Sequence, residues 1–155
     1  MVASPAHAQF APAMLEDVPR LATFMPDLYA YEGAPPDVAA WSAALAELVQ
    51  TPSLGQVWVI QLDGQPIGYV ALTFGYSLEF GGRDAFIDEL YIDEPHRGQG
   101  IGGQAIEFIE TYARSSGLRS LHLEVDDYNV NGQRFYETRG FHFRRHMHLM
   151  SKRLA

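Results

Sequence analysis

Apolar and polar positions follow two different periods along the chain, and the changes of period predict its strands and helices. The segments 57–62, 67–73 and 85–92 are rich in β-branched and aromatic residues, which is typical of strands. The first two flank Asp63-Gly64, a dipeptide that favours a tight hairpin turn. Segment 9–14 predicts one more strand before them. These patterns therefore predict four strands, three of them consecutive.

Two helices are expected between the first strand and the second. The segment 15–19 starts the first helix, with acidic residues in its first turn and a proline at a tolerated early position, and the segment 29–36 breaks it. Asp37 can cap the second helix, which the segment 52–55 ends. The apolar residues of this second helix recur at the helical period: Trp41, Ala44, Leu45, Leu48 and Val49.

A third helical pattern begins at Ile101, and Gly117 closes it. Its apolar face consists of Ala105, Ile109, Tyr112 and Ala113. The next residues alternate as a strand does, with Leu121, Leu123 and Val125 on one side. A short helix near 132–138 and a final strand from Phe141 to about Met150 complete the pattern.

The resulting order β, α, α, β, β, β, α, β, α, β predicts a single α/β domain over residues 1–155. The two strands that flank residues 101–116 are expected to pair in parallel, because a helix connects them.

Composition and charge narrow the classes of function. A length of 155 residues with 47% hydrophobic residues fits one globular domain, and no apolar run approaches membrane-spanning length. The first residues lack the basic and apolar regions of a signal peptide, so we expect a cytoplasmic protein with no membrane partner. The absence of Cys excludes disulfides, thiolate metal sites and a cysteine nucleophile. A formal net charge of −8 argues against nucleic-acid binding and favours a cationic substrate.

A glycine-rich turn joins the strand at 85–92 to the helix that begins at Ile101. Gly100 and Gly102 lack a Cβ, so backbone can approach an anion closely, and the N–H groups of the following helix point at it. Arg97 adds a cationic fork beside them. The spacing lacks the Gly-x-Gly-x-x-Gly of dinucleotide-binding folds and the Gly-Lys-Ser/Thr of P-loops. The turn therefore predicts a phosphate site of another kind.

The pattern Arg97-x-x-Gly100-x-Gly102 resembles the acyl-CoA pyrophosphate motif of the GNAT superfamily of N-acetyltransferases. A second family pattern, Asn-x-x-Ala-x-x-x-Tyr-x-x-x-Gly-Phe, is matched downstream except that Gly132 replaces the usual Ala. The matching residues are Asn129, Tyr136, Gly140 and Phe141. The resemblance covers roughly residues 8 to 153. It implies an α/β (α+β) fold with a central mixed sheet of six to seven strands, about four flanking helices, and splayed central strands that admit the pantetheine arm.

The resemblance implies acetyl-CoA as co-substrate and no metal. The pantetheine arm would pair with the backbone of Leu90, Tyr91 and Ile92, and Asn129 would hydrogen-bond the same arm. Tyr136 corresponds to the tyrosine that protonates the departing thiolate, where it also touches the cofactor. The pyrophosphate would be held by Arg97, Gly98, Gln99, Gly100, Ile101, Gly102 and Gly103.

Three carboxylates are candidates for the base that takes the proton of the acceptor amine. Asp88 and Glu124 stand where branches of the family place a catalytic glutamate, and an unpaired carboxylate in an apolar strand is costly to bury. Glu89 is the third, although on a regular strand its side chain faces away from that of Asp88. The sequence does not separate the three. A further alternative is a chain of water molecules.

The family resemblance implies that the acceptor binds at the break between the first two helices. Tyr29, Tyr31 and Glu32 lie in this break, and together with Glu79 they can bind a cationic amine. The pair His146 and His148 lacks a third ligand of suitable spacing, so no metal site is predicted.

Three functions remain open from the sequence. The first is an acetyl-CoA-dependent N-acetyltransferase that modifies a primary amine, preferentially that of a cationic small molecule, by direct transfer. The second is a protein or peptide acetyltransferase, and the third is a catalytically silent acyl-CoA-binding module. The presence of Tyr136 favours an enzyme over the silent module. The sequence leaves open whether the protein forms a homodimer.

Overall fold

The computed structural model describes residues 7–30 and 36–154. The strands in these ranges are β1 Gln9–Pro12, β2 Gly55–Leu62, β3 Gln65–Ser77, β4 Gly82–Ile92 and β5 Ser120–His122. The α-helices there are α1 Val18–Ala22, α2 Met25–Leu28, α3 Val38–Gln50, α4 Ile101–Ser115 and α5 Val130–Glu137, and 3₁₀ turns occur at Leu15–Asp17 and Glu94–His96.

Two compact units make up the chain, Met1–Leu123 and Glu124–Ala155. The first contains the whole sheet and α1 to α4, and the second contains α5. The assignment of all 155 residues to one domain stays a prediction. None of the helices in the described ranges is both long enough and apolar enough to cross a membrane.

The sheet has the order β1-β2-β3-β4-β5. The first four strands are antiparallel neighbours, and β4 pairs with β5 in parallel, which confirms the pairing predicted across α4. The predicted hairpin is also present. Asp63 and Gly64 both adopt positive φ angles, 50° and 76°, as the two central residues of a type I′ turn must.

Each face of the sheet packs against a different set of helices. On one face, Val57, Tyr69, Ala71 and Tyr91 belong to a core cluster with residues of α1, α2 and α3, including Leu21, Met25 and Leu45. On the other face, Ile60 and Ile67 pack with Ile101 and Ala105 of α4. The rings of Phe108 and Tyr112 contact Trp58 edge-on. Successive strand residues point to opposite faces of the sheet, so the apolar residues are divided between two cores.

Proline and aspartate determine where the first helices begin and end. The Asp37 carboxylate accepts a hydrogen bond from the Ala40 N–H at 3.0 Å, which confirms the predicted cap of α3. Pro26 has no N–H to donate to Ala22, which separates α2 from α1, and the helix predicted from residue 15 begins as a 3₁₀ turn before α1. The described ranges consequently contain five α-helices rather than about four.

The predicted number of strands is wrong: the described ranges form five strands, not six to seven. The segment 141–154 contains no strand, although the sequence predicts one from Phe141 to Met150. A backbone hydrogen bond of 2.8 Å from Met147 N–H to the Arg144 carbonyl makes a turn in the middle of this segment, and its apolar side chains Phe143, Met147 and Leu149 are exposed. The strand predicted through Val125 ends at His122.

The parallel ladder is short and leaves part of β4 beyond it. Asp84–Phe86 pair with Ser120–His122, and Asp84 Oδ2 lies 3.2 Å from His122 Nε2 across this ladder. Among the described strands, only β3 pairs with segment 87–92 of β4. The second edge of that segment is where the family resemblance predicts the pantetheine arm.

Candidate functional site

A cavity of about 420 Å³ lies in the first unit, on the face of the sheet that carries α1 to α3. Most of its wall is apolar or aromatic, and three carboxylates contribute to it. The described residues that line it are Met25, Tyr29, Trp41, Ala44, Leu45, Glu47, Leu48, Leu54, Ala71, Thr73, Phe74, Asp88 and Glu89. A cavity with an apolar wall and a few polar groups is the usual form of a small-molecule site.

A β-bulge brings Glu89 to this cavity. Leu72 of β3 pairs with Ile87, but the neighbouring Ala71 pairs with Glu89, so Asp88 is an extra residue in β4. An extra residue reverses the alternation of side chains beyond it, which places Glu89 on the same face as Ala71. The prediction that Glu89 faces away from the side of Asp88 is therefore wrong. Both carboxylates line the cavity.

Glu89 is the buried member of the pair. Its side chain belongs to the core with 8% of its surface exposed, and Oε2 accepts a hydrogen bond from the Tyr69 hydroxyl at 2.5 Å. Burial raises the pKa of the Glu89 carboxyl from 4.5 to about 7, because desolvation disfavours its charged form. A carboxyl that titrates near neutral pH in a cavity has the properties required of a general base.

The other carboxylates of the cavity are exposed at its rim. Asp88 is exposed overall, but its carboxyl is partly desolvated, and this desolvation raises its pKa. Glu47 is an exposed residue of α3. The sequence predicts Glu124 inside a strand, but this residue follows the end of β5 in an irregular segment of the second unit. Its role as a base stays a prediction.

Aromatic rings form the wall opposite the sheet. The rings of Tyr29 and Trp41 are 4.7 Å apart with a tilt of 44°. Tyr29 thus lies at the cavity, as predicted for an acceptor-binding residue, whereas Tyr31 and Glu32 fall outside the described residues. Glu79 lies in the turn between β3 and β4 and is not among the described residues that line the cavity.

The glycine-rich turn has the backbone of an anion site. Gly98 and Gly100 adopt φ angles of 75° and 82°, and Gly100 caps the N-terminus of the fifteen-residue helix α4. Left-handed residues that alternate with others direct successive N–H groups into a concavity, and the helix dipole favours negative charge there. Arg97 Nε donates to the Ile92 carbonyl at 2.7 Å, which fixes the guanidinium between strand and turn. This turn fits a pyrophosphate group.

Asn129 and Tyr136 lie in the second unit. Asn129 Oδ1 caps α5 by accepting from the Gly132 N–H at 2.9 Å, and a Cβ at position 132 would lie 2.4 Å from Asn129 Nδ2. An alanine at position 132 would require the Asn129 amide to shift. The Tyr136 ring contacts those of Phe135 and Phe141 edge-on. Burial raises the pKa of the Tyr136 phenol, and the Arg139 cation opposes this effect.

Sequence reasoning missed three residues of this site. Tyr69 is one of the apolar strand residues, and only the bulge brings Glu89 within reach of its hydroxyl. Trp41 and Glu47 fall within a predicted helix, but the sequence assigns neither of them to a site. Trp41 does carry a weak signal, since a large aromatic residue close to a predicted acceptor site is a candidate wall.

Comparisons with known proteins agree on one family. The model of the acetyltransferase (GNAT) family matches residues 20–141. A thialysine N-epsilon-acetyltransferase from Bos taurus is 30% identical over 87 residues, which are 53% of this chain and 51% of that protein. An aminoalkylphosphonate N-acetyltransferase from Salmonella typhimurium is 31% identical over 85 residues, 53% of this chain and 55% of that protein. The matched part spans about half of these curated relatives.

Solved structures share the fold over nearly the whole chain. An integron cassette protein from the mobile metagenome of Cole Harbour Salt Marsh has a TM-score of 0.81 and 29% identity, covering 95% of this chain and 91% of that one. An aminoglycoside N-acetyltransferase in complex with CoA has a TM-score of 0.78 at 17% identity and covers 99% of both chains. This second likeness concerns the fold alone.

Proposed function

Because the chain belongs to the GNAT family of acetyltransferases, we propose that it transfers the acetyl group of acetyl-CoA directly to a primary amine of a small cationic acceptor. The observation that carries this proposal is Glu89, a buried carboxyl with a pKa of about 7 in the wall of a cavity. A module that only binds acyl-CoA has no need of such a group. The bulge at Asp88 places the Glu89 side chain on the cavity side of the sheet.

The amine must lose a proton before it can attack. A lysine-like ammonium has a reference pKa of ~10.4, so only about one molecule in 10³ is neutral at pH 7, and selecting that form costs about 4 to 5 kcal/mol. Glu89 accepts this proton when its carboxyl is ionised. The Tyr136 phenol, whose pKa is raised, stays protonated and supplies a proton to the departing thiolate.

Charge in the cavity favours a cation without an anionic group. Glu47 and Asp88 lie at the rim, and none of the described lining residues is Lys, Arg or His. The Trp41 ring offers a face to a cation or to an apolar chain. A carboxylate or phosphonate group on the acceptor would be repelled by these carboxylates. We therefore expect an acceptor without a phosphonate group, unlike the substrate after which the aminoalkylphosphonate relative is named.

Acetyl-CoA supplies the activated acetyl thioester in this proposal. The turn 97–103 fits its pyrophosphate, since the left-handed Gly98 and Gly100 and the N-terminus of α4 present backbone donors to an anion. The second edge of segment 87–92 extends from Glu89 toward that turn. Leu90, Tyr91 and Ile92 are then the backbone that pairs with the pantetheine arm, although Ile92 already accepts from Arg97 Nε.

The proposal is tested with acetyl-CoA and a panel of amines, using thiol release for rate and mass spectrometry for product. We expect acetylation of cationic amines, and we expect Glu89→Gln to lower turnover by on the order of 10²-fold or more while CoA affinity stays within about twofold. Glu107→Gln, which alters an exposed carboxylate on α4, is the matched control. CoA binding without any acetylated amine would support the silent module instead, and acetylated peptides alone would support the protein acetyltransferase.

A further inference from the structure

We propose that Tyr69 is the positioning residue of the proposed base: its hydroxyl orients the Glu89 carboxylate and stabilises its ionised form from within the core. This inference rests on the proposed role of Glu89. Tyr69 has no exposed surface and is not among the described residues that line the cavity, whereas Glu89 is. The tyrosine therefore acts on an acceptor through Glu89 and not by contact.

The position of the Tyr69 hydroxyl is fixed by its surroundings. Tyr69 pairs with Tyr91 across the β3–β4 ladder, and Ala71, two residues further along β3, pairs with Glu89. The phenol thus reaches diagonally to Oε2 of Glu89. Its ring stacks against Phe24 and Tyr91, with centroids 6.4 and 6.5 Å away. A fully buried ring that packs against two other aromatic rings has little freedom, so the carboxylate it binds is held as well.

The hydroxyl can serve only as a donor to this carboxylate. Burial, and secondly the negative charge of Asp88, raise the pKa of Tyr69, so its proton stays in place throughout the range in which Glu89 titrates. A donor to a carboxylate stabilises the charged form, whereas burial destabilises it. Tyr69 therefore limits the rise in the pKa of Glu89. Without it, the carboxyl would remain protonated to higher pH and would be a base over a narrower range.

Other titratable groups around Glu89 act in the opposite direction or are neutral. Asp88 from its own strand and Glu47 from α3 line the same cavity, and their negative charges disfavour ionisation of Glu89. Tyr29, after the end of α2, is the remaining titratable residue in the described cavity wall. Tyr91 directs its hydroxyl to Asp27 Oδ2 at 3.0 Å. Tyr69 is thus the group with a hydrogen bond to the Glu89 carboxylate.

The test is Tyr69→Phe, which removes the hydroxyl and keeps the ring. We expect the acid limb of kcat/KM to move to higher pH by about one to two units, the shift expected for the loss of one hydrogen bond to a charged group. At pH values above the shifted limb, KM for the acceptor should stay within about twofold. Carbon-13 NMR of glutamate-labelled protein follows the Glu89 carboxyl directly and should show the same shift, whether or not the protein is active.

Tyr112→Phe is the matched control, because it also removes one phenol hydroxyl from a packed aromatic ring, but from a ring that contacts Trp58 on the α4 face of the sheet. Its acid limb and its Glu89 titration should stay where they are in the wild type. An unmoved Glu89 titration in Tyr69→Phe, or an equal shift in Tyr112→Phe, would overturn the inference. If the Glu89 titration shifts as expected but Glu89→Gln remains active, Tyr69 controls the ionisation of Glu89 and the proposed base is wrong.

A second variant covers the case in which Tyr69→Phe does not fold. Replacement of Tyr69 by 3-fluorotyrosine makes the hydroxyl a stronger donor with little change in volume. The Glu89 titration should then move to lower pH, opposite in sign to the effect of Tyr69→Phe. No movement, or movement to higher pH, would contradict the proposal.

Discussion

Glu89 should make the protein less stable as pH rises from mildly acidic to neutral. Its carboxyl titrates at a pKa of 4.5 in an ordinary environment and of about 7 in the folded protein, because it is buried. Between these two values the folded state binds more protons than the unfolded state, so the free energy of unfolding falls with increasing pH. At about 1.36 kcal/mol per pH unit, the full loss is about 3 kcal/mol. Above about pH 7 no further loss arises from this group.

Glu89→Gln removes this titration and keeps the shape of the side chain. Urea unfolding is measured at intervals between about pH 4.5 and 8. The free energy of unfolding of the variant, relative to that of the wild type, should rise by about 3 kcal/mol across that range. Glu107→Gln should follow the wild type, because its carboxylate is exposed. Parallel curves for Glu89→Gln and wild type would refute the assignment of a raised pKa to Glu89. A variant that is more stable and inactive would indicate a site maintained at the expense of stability.

Three further results are expected. Gly100→Ala should weaken CoA binding about tenfold in calorimetry, because the free protein can relieve ~1–2 kcal/mol of strain by leaving the left-handed conformation and CoA binding must restore it. Gly117→Ala, also left-handed but at the other end of α4, should lower stability and leave CoA affinity unchanged. Tyr136→Phe should lower turnover by roughly 10²-fold with unchanged CoA affinity, and the pH profile of the variant should lack the limb above about pH 10 that reports the phenol. Near-full activity of the variant would show that Tyr136 has only a packing role. Added salt should raise KM for a cationic amine more than for a neutral one, and a salt-independent KM would contradict the expected charge preference.

The patterns that depend on local chemistry are predictable from the sequence. The hairpin at Asp63-Gly64, the Asp37 cap and the glycine turn before α4 each depend on residue types whose backbone preferences are strong. The helix that connects β4 to β5 requires a parallel pair, and this follows from the length of the connection. The sequence alone therefore suffices to assign the phosphate motif to its place between a strand and a helix.

The errors come from features that depend on contacts distant in sequence. The final strand from Phe141 to Met150 alternates in sequence, but a strand also needs a hydrogen-bonded partner, and the described segment contains a turn at Arg144–Met147 instead. The predicted orientation of Glu89 is wrong because a bulge is a property of two paired strands. No residue in segment 85–92 marks Asp88 as the extra one, since the segment contains no glycine and no proline.

One strand relates the proposed base to the proposed cofactor site. Glu89 follows the bulge of β4, and Ile92 ends the strand immediately before the turn that leads to Arg97. At about 3.3 Å per residue, the roughly three steps from Glu89 to Ile92 span about 10 Å. This segment is hydrogen-bonded to β3, so its length changes little. A shift of the bulge by one residue would turn the Glu89 side chain away from the cavity without moving the glycine turn. The bulge therefore determines which carboxyl is the proposed base, while the strand determines its distance from the proposed cofactor site.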